Sequence, residues 1–292
     1  MIDQTVSGKS KVLGIIGNPV SHSFSPYIHN TIASRMGHSY RYLPFLVAER
    51  DVEAAVKGAY ALGIRGLNVT MPHKMAVMPF LASIDKLAQA AGAVNTIKYT
   101  EKGYEGYNTD ITGIMRAFQY ADMHMNNQSA VILGAGGTAC AAAVALCEMG
   151  IRRITILNRT RETAEKLAAH IRQAYDVNMD CLGYEDWEEA LPAGAVIQTT
   201  TVGFEAQAGL SPIADISFLR HIPFALDVIY SPWETAFLKQ AKEAGAVTRN
   251  GFDVLIYQAV RSYEIWTESQ LSPDFVAELR EETESFFLGL NG

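Results

Sequence analysis

The segment Val131–Ala139, VILGAGGTA, constrains the fold of this chain more than any other stretch. A short β-prone run leads straight into a glycine-rich turn, and small apolar residues follow at helical length as far as Cys147. Gly134-Ala135-Gly136-Gly137-Thr138-Ala139 fits G-x-G-x-x-G/A, and a strand before and a helix after are the setting in which that pattern carries meaning. The first glycine makes the tight turn, the second lets backbone amides approach a pyrophosphate, and Ala139 keeps the helix close to the sheet. The helix N-terminus adds amide donors and the positive end of its dipole. The competing reading is a glycine-rich turn that only packs a helix on a sheet. Residues 130–147 are also long enough to span a bilayer. Three glycines interrupt them and no basic cluster flanks them, so they read as strand, turn and buried helix, with no membrane partner.

The rest of the chain alternates in the same way. KVLGIIG (11–17), YRYLPFLV (40–47), GLNVT (66–70) and VNTIKY (94–99) are β-rich. Helix-like stretches at 25–36, 49–62 and 74–90 separate them, with Ser25 and Pro26 suited to an N-cap and a first helical position. Glu101-Lys102-Gly103 predicts a hairpin turn, and a helix follows from Thr109 to about Ala121. After the polar loop His124–Ser129 come AVIL (130–133), RITIL (153–157), AVIQTT (195–200), FALDVIY (224–230) and AVTRN (246–250), with helices at 138–149, 160–175 and 235–244. Strands spaced by helices imply parallel βαβ units. The last stretch is helical (252–269, 274–288). The expected fold is α/β in two domains. An open, mainly parallel substrate-binding domain comprises residues 1–123 plus 251–292, a Rossmann dinucleotide-binding domain comprises 124–250, and the cleft between them holds the active site.

Composition narrows the function. The formal net charge of −7 speaks against a nucleic-acid partner, yet a local pocket can still attract an anion. The three cysteines, Cys140, Cys147 and Cys181, lack metal-ligand spacing and read as reduced and buried, as in a cytoplasmic protein. The apolar run Val12–Ile16 is too short for a secretory signal. No cluster of His, Cys and carboxylates has metal-site spacing, so no metal is expected.

The strand after the glycine turn ends in Asn158-Arg159-Thr160-Arg161, with no carboxylate before Glu162. An NAD site usually has an acidic residue there to bond the adenine ribose. A guanidinium suits a 2′-phosphate by charge and planar donor geometry, so the expected cofactor is NADP, with NAD as the alternative.

Polar groups gather at the strand ends of the first part. Ser21, Ser23 and Ser25 follow the first strand, where hydroxyls near a helix N-terminus can hold a carboxylate. Asn68 and Thr70 share a strand face. Lys74, Asn95, Thr96, Asn108, Thr109 and Asp110 complete the set. Each alone has a bland reading, Asp110 as an N-cap or Lys74 as a surface lysine. Together they suit a small polyhydroxylated substrate bound by many directed hydrogen bonds. His22 and His73 are assigned to structural support.

These motifs, in the order NPVSHSFSP (18–26), NVTMPHK (68–74), AVNT (93–96), YNTD (107–110), the glycine turn, NRT (158–160), DVIYSPWET (227–235) and NGFDVLIYQA (250–259), resemble the shikimate/quinate dehydrogenase family over nearly the whole chain. The resemblance implies NADP-dependent, reversible reduction of 3-dehydroshikimate to shikimate in aromatic amino-acid biosynthesis. It implies that Ser23 and Ser25 hold the substrate carboxylate, that Asn68, Thr70, Asn95, Asp110 and Gln258 bind hydroxyls, and that Lys74 and Asp110 form the catalytic pair. It implies Tyr230 as a substrate residue which, with Val228 and Gly251, lies on the nicotinamide side. Gly134 to Ala139 and Asn158, Arg159 and Thr160 complete the cofactor set. A homodimer is compatible with it.

The chain departs from the family pattern in the cofactor half. Gln198-Thr199-Thr200-Thr201 replaces the usual Asn-Ala-Thr-Ser, Val254 replaces a frequent methionine, and a second arginine three or four residues past the NR pair is absent. The rival readings are a quinate/shikimate dehydrogenase with NAD or dual cofactor use, and a non-catalytic dinucleotide-binding sensor. A protein-interaction scaffold finds no repeat or heptad to support it.

Overall fold

The computed structural model describes residues 6–123 and 128–291. The chain folds into two compact units, one of residues 1–89, 93–109 and 256–292, the other of residues 90–92 and 110–255.

In the first unit the chain runs β1 (Lys11–Gly17), α1 (Ser25–Arg35), β2 (Tyr40–Leu46), α2 (Val52–Ala61), β3 (Gly66–Val69), β4 (Ser83–Ile84), α3 (Lys86–Ala91), β5 (Thr96–Thr100) and β6 (Gly103–Tyr107). The sheet order is β2-β1-β3-β5-β6-β4. β1 pairs in parallel with β2 and β3. β5 and β6 form the expected hairpin, and β5 runs antiparallel to β3, with Asn68 opposite Thr96. Five successive buried residues in β1 mark a strand covered on both faces.

The expected helix over 74–90 is a correction. Pro79 lies in its middle, where it would remove a helical hydrogen bond and clash with the preceding turn. The chain instead makes a short 3₁₀ turn at Met78–Phe80, adds β4 beside β6, and restarts as α3 with Asp85 Oδ1 accepting from the Ala88 amide at 2.8 Å. Ser25 also differs from expectation. It is the first residue of α1, Phe24 is the N-cap, and no side chain caps the helix.

The second unit follows with α4 (Thr109–Tyr120), β7 (Ser129–Leu133), α5 (Gly137–Glu148), β8 (Arg153–Leu157), α6 (Arg161–Ile171), β9 (Asn178–Leu182), β10 (Ala195–Gln198), β11 (Phe224–Asp227), α7 (Ala236–Glu243) and β12 (Val247–Arg249). All six strands are parallel in the order β12-β11-β10-β7-β8-β9. Counted within the unit this is 3-2-1-4-5-6, the doubly wound dinucleotide-binding order. β9 escapes sequence reading because NMDCL carries little β signal; its place at the sheet edge needs only partial burial. Val131, Leu133, Val196, Phe218 and Phe237 lie in the core on one face.

α8 (Phe252–Thr267) carries the chain back to the first unit, where α9 (Pro273–Asn291) completes it. α4 packs inside the second unit: Phe118 lies 4.8 Å from Phe224, and a Cβ on Gly113 would meet Val254. Of the loop expected at His124–Ser129, residues 124–127 lie outside the described residues. Among the described residues no helix is long and apolar enough to cross a membrane.

Candidate active site

In the first unit the polar motifs sit at the ends of β1, β3 and β5. The turns after β1 and β3 touch: Asn18 donates to the Met71 carbonyl at 3.1 Å, and a Cβ on Gly17 would overlap the Thr70 methyl. Ser23 Oγ accepts from the Ser25 amide at 3.3 Å, which couples the two serines at the start of α1. Buried His73 bonds the Val47 carbonyl at 2.8 Å and pins the turn that carries half-buried Lys74.

Asn68 and Asn95 are the best-defined groups. The Asn68 Nδ2 donates to the Asn95 carbonyl (3.2 Å), Thr96 Oγ1 (3.0 Å) and Ser262 Oγ (3.0 Å), and its Oδ1 accepts from the Tyr42 hydroxyl (2.7 Å). Asn95 Oδ1 accepts from the Thr109 amide (2.7 Å) and from the Thr96 and Thr109 hydroxyls. It thereby serves the N-terminus of α4, whose second residue is buried Asp110. Ser262 Oγ donates to the Gln258 carbonyl at 2.9 Å. One buried network therefore joins Asn68, Asn95, Thr96, Thr109, Ser262 and the Gln258 backbone. Lys74 belongs to the first unit and Asp110 to the second.

Sequence reading missed Tyr42 and Ser262, because their partners are distant in the chain. It also missed His29, which stacks on Tyr42 with centroids 4.3 Å apart. Burial pushes the His29 imidazole down to about 3; nearby Asn68 opposes this in part, although neither ring nitrogen reaches hydrogen-bonding geometry.

In the second unit the glycine turn leaves β7 next to β10, where the strand order reverses and ligands bind in such sheets. Gly134 has φ +103°, and a Cβ there would meet Thr200 Cγ2 at 2.8 Å and Thr199 Oγ1 at 3.0 Å. Thr199 Oγ1 donates to the Leu133 carbonyl at 2.7 Å. Buried Gln198 closes its own turn, donating to the Thr200 and Val202 carbonyls and accepting from the Thr200 amide at 2.6 Å. This gives the altered Gln-Thr-Thr-Thr stretch a local role: it buttresses the glycine turn. A Cβ on Gly136 would meet nothing within 4 Å, and no side chain caps α5. The turn through Ala135, Gly136, Gly137 and Thr138 therefore leaves backbone amides open to a phosphate, while Ala139 is buried.

Asn158 folds its amide onto the Thr160 carbonyl at 2.8 Å. Exposed Arg159 makes no ion pair among the described residues, whereas Arg161 pairs with Glu165 at 3.1 Å. At the end of β11, Asp227 is fully buried. Its Oδ1 accepts from the Ile229 amide at 3.0 Å and its Oδ2 from the Thr235 hydroxyl at 2.7 Å. Burial pushes this carboxyl up to about 7 against both hydrogen bonds. The segment so closed carries Val228 and Tyr230, and Gly251 packs on the Val228 backbone. No metal-ligating cluster occurs among the described residues.

A 3-2-1-4-5-6 parallel sheet with an open glycine turn at its switch point, in one chain with a second α/β unit rich in buried amides, defines a two-domain NAD(P)-dependent oxidoreductase. The chain belongs to the shikimate dehydrogenase family: residues 15–97 match the shikimate dehydrogenase substrate binding domain and residues 116–209 match shikimate / quinate 5-dehydrogenase. It is 38% identical over 273 residues to the shikimate dehydrogenase (NADP(+)) of Caldanaerobacter subterraneus, covering 94% of this chain and 97% of that one. The shikimate 5-dehydrogenase of Listeria monocytogenes, solved in complex with shikimate and NAD, superposes with a TM-score of 0.85 at 31% identity, over 94% and 97% of the two chains. Quinate dehydrogenase from Corynebacterium glutamicum, solved with NAD, gives 0.84 at 29% identity over 94% and 99%.

Proposed function

We propose that this protein catalyses the NADP-dependent, reversible reduction of 3-dehydroshikimate to shikimate, as a cytoplasmic enzyme of aromatic amino-acid biosynthesis. The observation that carries this reading is the pair of amides, Asn68 and Asn95, each held in one orientation by a backbone group. Prefixed, directional hydrogen-bonding groups suit a polyol acid, which offers several hydroxyls in a rigid ring.

Ser23 and Ser25 receive the carboxylate. Asn68, Thr70, Asn95, Asp110 and Gln258 bind the hydroxyls, and Tyr230 completes the substrate set. The amides of Gly134 to Ala139 hold the pyrophosphate, Asn158 to Thr160 hold the adenine ribose end, and Val228 and Gly251 border the nicotinamide. When bound, the cofactor supplies the hydride to C3. The Lys74 ammonium stabilises the oxygen at C3 as it gains charge, and donates the proton. Asp110 orients that ammonium. In the reverse direction Lys74 takes the hydroxyl proton.

The test is a two-by-two assay of shikimate or quinate with NADP⁺ or NAD⁺. Activity concentrated in the shikimate and NADP⁺ pair supports the reading. Equal or better rates with quinate or NAD⁺ move the protein to the dual-specificity branch, which the altered 198–201 stretch keeps in play. Cofactor binding without turnover in any pair marks a sensor.

A further inference from the structure

Tyr42 lies on the edge strand β2 yet is 1% exposed. Asn30 of α1 grips its backbone from both sides: Nδ2 donates to the Tyr42 carbonyl at 3.0 Å, and Oδ1 accepts from the Tyr42 amide at 3.0 Å. His29, the preceding residue, stacks on its ring. These restraints aim the hydroxyl at Asn68 Oδ1, 2.7 Å away.

The orientation of the Asn68 amide follows from chemistry alone. One of its terminal atoms lies 3.2 Å from the Asn95 carbonyl, which can only accept. That atom is the nitrogen, and the oxygen faces Tyr42. The two protons on Nδ2 have three acceptors within 3.2 Å: the Asn95 carbonyl, Thr96 Oγ1 and Ser262 Oγ. Ser262 gives its own proton to the Gln258 carbonyl, so toward Asn68 it can only accept. Among the described residues, both donors of Asn68 are thus engaged and one lone pair of Oδ1 belongs to Tyr42. Among the described residues the other lone pair of Oδ1 has no hydrogen-bond donor, which leaves it to a ligand.

We propose that Tyr42 is a positioning residue: the Asn95 carbonyl decides that Asn68 presents its oxygen, and the Tyr42 hydroxyl takes one lone pair and aims that oxygen, so that the substrate group facing Asn68 must be a donating hydroxyl and not a carbonyl or ether oxygen. The proposal rests on the reading that Asn68 faces the substrate. It makes Tyr42 a determinant of substrate polarity although its own hydroxyl is spent inside the protein.

Tyr42→Phe removes one oxygen and keeps the ring. Without that donor the Asn68 amide keeps its orientation but its oxygen is no longer aimed, and the shikimate KM rises about tenfold while kcat stays within about twofold, the signature of lost ground-state binding. The NADP⁺ KM is unchanged. Shikimate analogues that each lack one ring hydroxyl sharpen the test. One of them binds the wild type about tenfold more weakly than shikimate, and this discrimination disappears in Tyr42→Phe. A fall in melting temperature with an unchanged shikimate KM, or an equal rise in both KM values, overturns the proposal, since packing alone would account for either. Should Tyr42→Phe fail to fold, Ser262→Ala acts on the other side of Asn68 and is expected to change the same KM in the same direction by a smaller factor; no change there overturns it. A wild type that oxidises no shikimate defeats the functional reading itself, before any variant is compared.

Discussion

The Cα of Gly251 rests directly on the backbone of Val228, close enough that a Cβ would overlap the Val228 carbonyl and lie 3.0 Å from its Cα. Its amide donates to the Ile229 carbonyl at 2.9 Å, so neither segment can retreat. Gly251→Ala is expected to destabilise the protein by about 1–3 kcal/mol, the usual range for overpacking. Because the pair borders the proposed nicotinamide side, the NADP⁺ KM should rise as well. Thermal unfolding and steady-state kinetics check both; a variant with wild-type values in both would mean that the packing relaxes at no cost.

Gly134 tests the other end of the cofactor site. Its φ of +103° strains any residue with a Cβ, and the added methyl would meet Thr200 at 2.8 Å. Gly134→Ala should lower stability by about 1–3 kcal/mol and weaken cofactor binding more than shikimate binding. Fluorescence titration with NADPH reads the second effect. Equal losses for the two ligands would argue against a phosphate-binding role for the turn.

Lys74→Ala should reduce kcat by about 100- to 10,000-fold, the usual weight of a positioned acid–base group, with a much smaller change in shikimate KM. Asp110→Asn should damage both constants, because Asp110 is assigned both to the lysine and to a hydroxyl. Near-normal turnover in Lys74→Ala would remove it from the chemistry.

Two buried groups give stability opposing pH trends. The Asp227 carboxyl is raised from 3.8 to about 7 on folding, so the folded state binds its proton more tightly than the unfolded chain does. Its contribution is fully present below about pH 4 and is lost as pH rises through 7, about 4 kcal/mol over the window. The His29 imidazole is lowered from 6.5 to about 3; its contribution is present above pH 6.5 and is lost as pH falls toward 3. Denaturant unfolding of the wild type and Asp227→Asn from pH 4 to 8 separates the two. The wild type should lose stability relative to the variant as pH rises, and a constant difference would show that Asp227 does not titrate in that range.

The sequence was legible where signals are local. The glycine turn with its flanking strand and helix, the hairpin at Glu101–Gly103 and the alternation of strands and helices all appear at the expected places, since each depends on neighbours in the chain. The stretch 74–90 reads as one helix because its composition is helical, while Pro79 and the pairing of Ser83 and Ile84 with Glu105 and Gly106 decide otherwise. The polar motifs show which groups gather at the strand ends but not how they are held. Tyr42 reaches Asn68 across 26 positions and Ser262 reaches it across 194, so no local pattern could reveal either.

Arg159 is where sequence and structure together make the sharpest claim about the cofactor. It stands just past β8, exposed, with no carboxylate committed to it among the described residues, while Arg161 is held by Glu165. A guanidinium with unspent donors matches the planar geometry of a phosphate, and hydrogen bonds to charged groups contribute about 1.5–3 kcal/mol each. Arg159→Ala should therefore raise the NADP⁺ KM by about ten- to a hundredfold and leave the NAD⁺ KM nearly unchanged, since NAD⁺ has no 2′-phosphate to lose. Arg161→Ala should do less, because that side chain already serves its helix. The comparison is best made at low ionic strength, where screening is weakest. An equal rise for both cofactors would assign Arg159 to the shape of the turn, and no rise for either would place recognition of the 2′-phosphate elsewhere.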